Sequence, residues 1–452
     1  MPSTLGYALL EIGGIQAFIL ETGKLKEMIG GSEIIESLSQ GFYDDVLHDL
    51  GLREIDEPDD GDNHWIIPVQ KNAGTLRLLF PDLNSARSFV TVFSRHAVQQ
   101  FPGLPLYGTV VEADWEKGLK EPHRDANAAL AVKRSLTPPS SGMPMLPVVR
   151  TARLDGLPAV EKDKKELISL LSRTKRQRHL LEKADARLKT KYEPVLHTLF
   201  PDTTQIVWTD DFDRMIGDHP SSRIALVHID GNDLGKRFQK TIEDVDRGNL
   251  STAESVARLN ELSSLVQNAN EYAFSEALAA AVARDVPHAD WKRYVVPARP
   301  LVMGGDDVSV IIRADLALTF IEHYVQRFEQ KTREGGTPLT VGVGMVVMPK
   351  TYPFTKAFTL VENLLESAKH ATINMTPRPS SLDYLVLTEE VESSLAGLRE
   401  RTATTLDGEG QITCKPLFLT DGALSEFTEK ARSVLEKLPR SGIRNAVNEC
   451  RR

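Results

Sequence analysis

The sequence predicts an α+β protein of two ferredoxin-like βαββαβ units, with a basic helical insert between them and a short helical C-terminal tail. Three observations carry this prediction. Short apolar runs alternate with longer runs of helical spacing, in the same order twice along the chain. Residues 162–191 fit neither copy, because they hold eleven basic residues against four acidic ones. The length of 452 residues, at about 150 per domain, leaves room for about three domains. A hydrophobic fraction of 41% with 26% charged residues excludes a wholly disordered, collagenous or membrane-embedded chain.

In the first unit Gly6 to Ile12 reads as a short apolar strand. Lys24 to Leu50 has helical periodicity through Leu25, Met28, Ile34, Ile35 and Leu38. His64 to Val69 and Thr75 to Phe80 read as strands joined by a polar turn containing Asn72 and Gly74. Asp82 or Asn84 can cap a helix carrying Ala86, Phe89, Val90, Phe93 and Val98, which Pro102 and Gly103 end. Leu106 to Val111 supplies the fourth strand, and residues 1–115 form one domain.

Residues 116–220 are expected to be a basic helical linker domain. The run Arg173-Thr-Lys-Arg-Gln-Arg-His179 within it suits a solvated helical face, or else a nucleic-acid or partner contact. The second unit spans 221–390. Its first strand is Ile224 to Ile229, followed by a helix and then a longer helix with Val256, Leu259, Val266, Ala273 and Ala277 at helical spacing. Val295 to Met303 and Val308 to Ile312 form a hairpin, Leu316 to Phe328 a helix, Leu339 to Val347 a strand and Phe354 to Ala371 a further helix. The tail, 391–452, has one helical pattern from Leu424 to Leu438. Such an internal duplication weighs more on the fold than any single motif.

Composition also narrows the function. A formal charge of −9 argues against coating nucleic acid by bulk charge. Two cysteines, Cys414 and Cys450, cannot build a disulfide framework or a four-cysteine zinc site. The N-terminus has no lysine or arginine ahead of its apolar run, and Glu11 interrupts that run, so no secretory signal is read. No stretch has the ~18 apolar residues of a membrane span, and a cytoplasmic protein is expected.

The sharpest chemical signal is Val302-Met-Gly-Gly-Asp-Asp-Val308. Gly304 and Gly305 let a turn approach a polyphosphate closely, and Asp306 with Asp307 can hold divalent cations. By itself the motif also fits a type I′ hairpin with solubilising acids. The strand that delivers Asp230 changes that balance, since in a ferredoxin-like sheet the first strand lies beside this hairpin and the three carboxylates converge. Repelling carboxylates in one place make sense around a cation. Magnesium, or manganese in its place, suits hard oxygen ligands completed by phosphates, and would orient a ribose hydroxyl and stabilise departing pyrophosphate.

The loop Gly231, Asn232, Asp233 to Gly235 precedes a helix, and N–H groups at a helix start are natural phosphate donors. Lys369, near the end of a helix, could reach a triphosphate as a point charge. The glycines of Thr340-Val-Gly-Val-Gly-Met345 leave room for a ligand or for a neighbouring backbone.

Asp230-Gly-Asn-Asp-Leu-Gly235 and Gly304-Gly-Asp-Asp307 resemble the second palm domain of the CRISPR polymerase family, the large cyclase subunit of type III interference complexes. That family is related to the GGDEF diguanylate cyclases. Gly14-Ile-Gln-Ala-Phe-Ile19 followed by Lys24-Leu-Lys-Glu-Met-Ile-Gly-Gly-Ser32 resembles the family's first palm, so the likeness runs over about residues 5 to 440. It implies two ATP molecules face to face between palms, the 3′ hydroxyl of one attacking the α-phosphate of the other. By the same resemblance Asp230, Asp306 and Asp307 hold metal, Lys369 meets triphosphate, and Gly31 with Ser32 touch the second nucleotide. The first palm, with Asn72-Ala-Gly-Thr75 at the equivalent hairpin, is the supporting one.

The chain departs from the family in three places. It starts at the first palm strand without a histidine-aspartate nuclease domain, and His48-Asp49 lacks that domain's spaced ligands, so DNA cleavage is not expected. The stretch from Val148 to Pro158, where members carry zinc-binding cysteines, has none, and no zinc is expected. The usual Asp-Gly-Asp-Asn reads Asp-Gly-Asn-Asp here. The reading is a magnesium-dependent cyclase that makes cyclic oligoadenylate from ATP in antiviral defence, with other effector subunits and guide RNA as partners. The alternatives are a structural subunit that binds nucleotide or RNA without turnover, and a stand-alone cyclic dinucleotide synthase using GTP.

Overall fold

The structure, a computed structural model, describes residues 4–59, 61–72, 74–136, 149–217, 219, 222–246, 251–285, 292–387, 395, 415–420 and 422–437. Cys414, Cys450, Val148 and Leu438 lie outside the described residues, as does most of the tail. The chain divides into two compact units, residues 1–187 with 233–267, and residues 188–232 with 268–452.

The first unit begins with β1 (Leu5–Ile12), α1 (Ile15–Leu20), α2 (Leu25–Ser37) and α3 (Gly41–Leu50), then β2 (Arg53–Glu54), β3 (Trp65–Asn72), β4 (Thr75–Phe80), α4 (Leu83–Gln100) and β5 (Leu106–Ala113). The sheet order β2-β3-β4-β1-β5, with β1 antiparallel to both β4 and β5, is the ferredoxin-like arrangement with one short strand added at the edge. Asp82 caps α4, accepting from the N–H groups of Asn84 and Ser85 at 2.7 and 3.0 Å.

The single helical stretch expected over Lys24 to Leu50 is two helices. At the break the Ser37 and Ser39 hydroxyls donate to the carbonyls of Ile34 and Glu36 at 2.7 and 3.2 Å, which competes with helix continuation. The helix α1 has no counterpart in the periodicity, because it is only 6 residues long.

The stretch after β5 is more than helical. It holds α5 (Lys120–Leu136), a hairpin of β6 (Ala159–Asp163) and β7 (Glu166–Ser169), α6 (Leu170–Lys175) and α7 (Arg178–Leu196). Its basic run is not simply a solvated face. The Lys175 ammonium is fully buried over the Phe18 ring and donates to the Phe18 carbonyl. Arg176 bonds Glu27, Asp163 and Glu166, while Arg187 meets Glu33 at 3.0 Å and Glu36 at 3.3 Å. These cations secure α2, whose Gly30 permits the approach: a Cβ there would stand 1.8 Å from the Lys175 carbonyl oxygen. The cysteine-free loop before β6 is tied by Asp155, which accepts from the Leu157 N–H at 3.1 Å and from Ser169 Oγ and Ser172 Oγ at 2.5 and 3.2 Å.

The second unit opens with β8 (Gln205–Val207), α8 (Phe212–Ile216) and β9 (Arg223–Gly231). Next come α9 (Leu234–Asp246) and α10 (Thr252–Asp285), and the chain through residue 267 belongs to the first unit. There Ile242, Val256 and Leu259 join a core of Tyr7, Leu9, Trp65, Ile67 and Leu79. The rest comprises β10 (Arg293–Val295), β11 (Ala298–Gly304), β12 (Asp307–Arg313), α11 (Ala317–Glu334), β13 (Val341–Pro349), α12 (Phe354–Thr372), β14 (Ser381–Val386), β15 (Leu417–Phe418) and α13 (Ala423–Lys437).

The sheet order β11-β12-β9-β13-β14-β15 repeats the plan of the first unit, extended by β14 parallel to β13 and by β15. These last two strands were not expected from the alternation of the sequence. Among the described residues no helix is long and apolar enough to cross a membrane.

Candidate active site

The second unit builds its polar site at one end of β9, β12 and β13. In β9, Ile224 to Ile229 are buried, and the strand then delivers Asp230 half-buried at its end. Its register sets His228 opposite Ser309 and Ile229 opposite Val308 on β12, and Asp230 opposite Gly342 on β13. Side chains two apart along a strand share a face, so Asp230 and His228 on β9 lie with Asp307 and Ser309 on β12.

The turn carrying the adjacent aspartates is a two-residue loop, Gly305-Asp306, closed by the pair Gly304 and Asp307. Gly305 has φ 61°, whereas Asp306 is not among the positive-φ residues, so the turn has a left-handed residue only at its first central position. That is a type II′ pattern rather than the type I′ hairpin the sequence suggested. Its backbone is held from outside: Asn270 Nδ2 donates to the Gly305 carbonyl at 2.5 Å, and the Tyr324 hydroxyl donates to Asn270 Oδ1 at 2.6 Å. Both side chains are buried. Sequence reading missed this clamp, although Asn270 was visible as a polar residue on the buried stripe between Val266 and Ala273.

The carboxylates act on one another. Burial, then the charge of Asp230, pushes the Asp306 carboxyl well above its ordinary range, and a hydrogen bond shared with Asp230 adds to this. Asp307 is raised by burial and by Asp230 and Asp306, against the opposing pull of Lys369. Glu362 on α12 is also raised, by burial, Glu366 and Asp230. His228 is fully buried, its Nδ1 2.5 Å from Ser309 Oγ, and burial pulls its pKa down to about 4. Its 3.3 Å contact with Glu362 is therefore a contact of a neutral imidazole and not an ion pair.

Lys369 lies on this cluster. Its ammonium pairs with Asp230 and donates to the Gly231 carbonyl at 3.0 Å. Gly342 makes that possible, since a Cβ there would stand 2.6 Å from Lys369 Cγ. At Gly344 a Cβ would stand 2.3 Å from the Val361 carbonyl oxygen, so these two glycines serve the packing of α12. The N–H of Asn232, expected to face phosphate, instead donates to the Thr340 carbonyl at 2.8 Å. Its side-chain Nδ2 donates to Thr340 Oγ1 at 3.0 Å, and the buried Oδ1 has no partner among the described residues.

Of the site residues expected from the sequence, the second unit holds Asp230, Gly231, Asn232, Gly304, Gly305, Asp306, Asp307 and Lys369. Gly231 lies against Asp306, its absent Cβ 3.0 Å from that residue's Cβ. The first unit holds Asp233, Gly235, Gly31 and Ser32. Asp233 has φ 60° and accepts from Lys236 at 2.7 Å, while Gly235 is exposed on α9. Gly31 is buried in α2, where a Cβ would stand 3.3 Å from Ile19 Cα, and Ser32 is half-buried beside it.

Among the described residues no three His, Cys, Asp or Glu side chains form a ready metal-ligand group. The donor set nevertheless fits magnesium or manganese. All three aspartates offer hard oxygens, burial and neighbouring carboxylates push the protonation of Asp306 and Asp307 up, and the cation now beside Asp230 is a lysine.

Residues 223–375 match the family model described as Cas10/Cmr2, second palm domain. No curated protein matches the chain. Solved structures similar in fold include a Csm1–Csm4 cassette in complex with cA4, at 14% identity and TM-score 0.53, covering 95% of this chain and 58% of that one. A cassette with one ATP gives 14% and 0.54, covering 97% and 59%. The Csm1–Csm4 subcomplex of the type III-A CRISPR-Csm interference complex gives 14% and 0.52, also covering 97% and 59%. This chain therefore spans less than three-fifths of the length of the solved chains it matches. Residues 223–375 thus match a second palm domain of the Cas10/Cmr2 family, in a chain whose fold is similar to that of the solved Csm1–Csm4 structures.

Proposed function

We propose that the chain is a nucleotidyltransferase that converts ATP to cyclic oligoadenylate, as a large subunit of a type III CRISPR effector acting in antiviral defence. The observation that carries this reading is the Gly305-Asp306 turn, which sets Asp306 and Asp307 beside Asp230, where burial and neighbouring carboxylates together disfavour their ionisation. In the reaction an O3′–Pα bond forms, the bond from Pα to the bridging oxygen breaks, pyrophosphate leaves and the attacking hydroxyl loses its proton. Asp230, Asp306 and Asp307 would hold magnesium, which when bound supplies charge stabilisation and a more acidic ribose hydroxyl. The glycines of the turn leave its backbone open to the nucleotide. Lys369, released from Asp230 as the site fills, meets the triphosphate.

The solved cassettes hold cA4 or one ATP, which supports adenine nucleotides as the ligand class here. Their pairing of Csm1 with Csm4 supports a neighbouring effector subunit as a partner, and guide RNA and a cytoplasmic location belong to the same reading. The first βαββαβ unit, residues 1–115, is read as the supporting palm, with Gly31 and Ser32 toward a second nucleotide.

Purified protein mixed with magnesium and labelled ATP should release pyrophosphate and yield cyclic products on mass spectrometry. Asp306→Ala with Asp307→Ala should abolish this while leaving the thermal transition in place. No pyrophosphate release, either alone or with an assembled guide complex and target RNA, would refute the enzymatic reading. One observation favours the structural alternative, a nucleotide-binding subunit without turnover: the Lys369 ammonium already neutralises Asp230. In that case the double variant would still bind nucleotide and partners unchanged, and no product would form with either protein.

A further inference from the structure

The hairpin β6–β7 borders a cavity of about 660 Å3 that lies wholly within the first unit and shares no residue with the carboxylate site. Lys24 and Lys26 come to it from the start of α2, Arg153 from the loop before β6, and Lys164 and Lys165 from the hairpin tip. Two carboxylates, Asp163 and Glu166, share the lining, but Arg176 bonds each of them at 2.8 Å. The other five cations form no ion pair or side-chain hydrogen bond among the described residues.

Lys26 and Lys164 also act on Asp163, yet the lining holds six cations against two carboxylates, and in a chain of net charge −9 that local excess favours an anion. Lys164 sharpens the point. It has a left-handed backbone, φ 56°, in a hairpin tip where glycine or asparagine would sit with less strain. The lining contains no aromatic ring, and Leu167 is its one large apolar side chain, so it offers charge without a stacking platform. Spread cations without stacking suit a run of regularly spaced anions more than a planar ligand. The volume is that of a short length of one strand.

We propose that this groove takes the phosphate backbone of a single-stranded nucleic acid and leaves its bases unread. It differs from the basic helical run in the same part of the chain, whose Lys175, Arg176 and Arg187 are already engaged by the protein itself. The proposal does not depend on the cyclase reading.

Anisotropy of a labelled oligouridylate with the full-length chain tests it. Four or five neutralised phosphates give a slope near −0.7 per contact for single strands, so affinity should fall about fifty- to 130-fold between roughly 50 and 200 mM salt. Lys164→Gln with Lys165→Gln, at exposed positions, should flatten the slope by about 1.4 and leave the melting temperature unchanged. Arg173→Gln with Lys189→Gln, exposed on α6 and α7, should bind as the unaltered protein does. No binding at low salt, equal loss in both variant pairs, tighter binding of duplex, or equal affinity for a polyglutamate peptide would each overturn the proposal.

Discussion

Asp306 and Asp307 are held where neither ionises freely, with pKa values pushed up to about 7 and about 8 by burial and by neighbouring carboxylates. A folded pKa above the unfolded value means that the stability contribution is full below about pH 4 and lost as pH rises through 7 to 8. The protein without divalent cation should therefore melt lower at pH 8.5 than at pH 5.5. Asp307→Asn should recover about 1–2 kcal/mol of that loss, a few degrees in Tm, while ending catalysis. Parallel pH profiles for the two proteins in differential scanning fluorimetry would show that the repulsion is not there.

Lys369 gives a companion expectation. Removing the ammonium that pairs with Asp230, by Lys369→Gln, should tighten Mn2+ binding several-fold in calorimetry and lower turnover about 10- to 100-fold. Weaker Mn2+ binding would mean that the lysine supports the metal site and does not compete with it. The three aspartates were legible in the sequence because they are local, a strand end and a turn. The lysine's present partner was not, since Asp230 lies 139 residues away and only the packing of α12 joins them.

The turn between β11 and β12 depends on two helices that contribute no chemistry of their own. Asn270→Ala on α10 removes the bond to the Gly305 carbonyl and leaves the buried Tyr324 hydroxyl without its acceptor, a loss of about 1–3 kcal/mol. Turnover should fall more than tenfold with KM for ATP little changed, and Tyr324→Phe should be milder in both respects. Equal damage to KM and to stability alone would make Asn270 a core residue only. On β13, Gly344→Ala would drive a methyl into the Val361 carbonyl and should cost about 1–3 kcal/mol in urea unfolding. Helix and strand existence could be read from periodicity, but the break between α2 and α3 turned on serine hydroxyls that no apolar pattern records.

At the level of the molecule, the two compact units are not two successive lengths of chain. The backbone passes from one to the other after residues 187, 232 and 267. Ile242, Val256 and Leu259 complete the core of the first unit from far along the sequence. A fragment ending at residue 220 should thus be poorly soluble and melt well below one ending at 267. Equal melting of both fragments by circular dichroism would show that the later segment is dispensable. Charge is likewise uneven. Arg176 and Arg187 of the basic stretch are spent inside the first unit on Glu27, Glu33 and Glu36, while further cations gather around the β6–β7 hairpin.

Apolar periodicity and turn residues were enough to establish the doubled βαββαβ plan, the Gly-Gly-Asp-Asp turn and Asp230 at a strand end, because each depends on neighbours a few residues away. Folding in three dimensions decided which charges are spent. Lys175 is buried beneath α2, Arg176 binds Glu27, Lys369 covers Asp230 and Asn270 grips the turn. These pairs are far apart along the chain, and their energies depend on burial and distance, which exist only once the helices have packed.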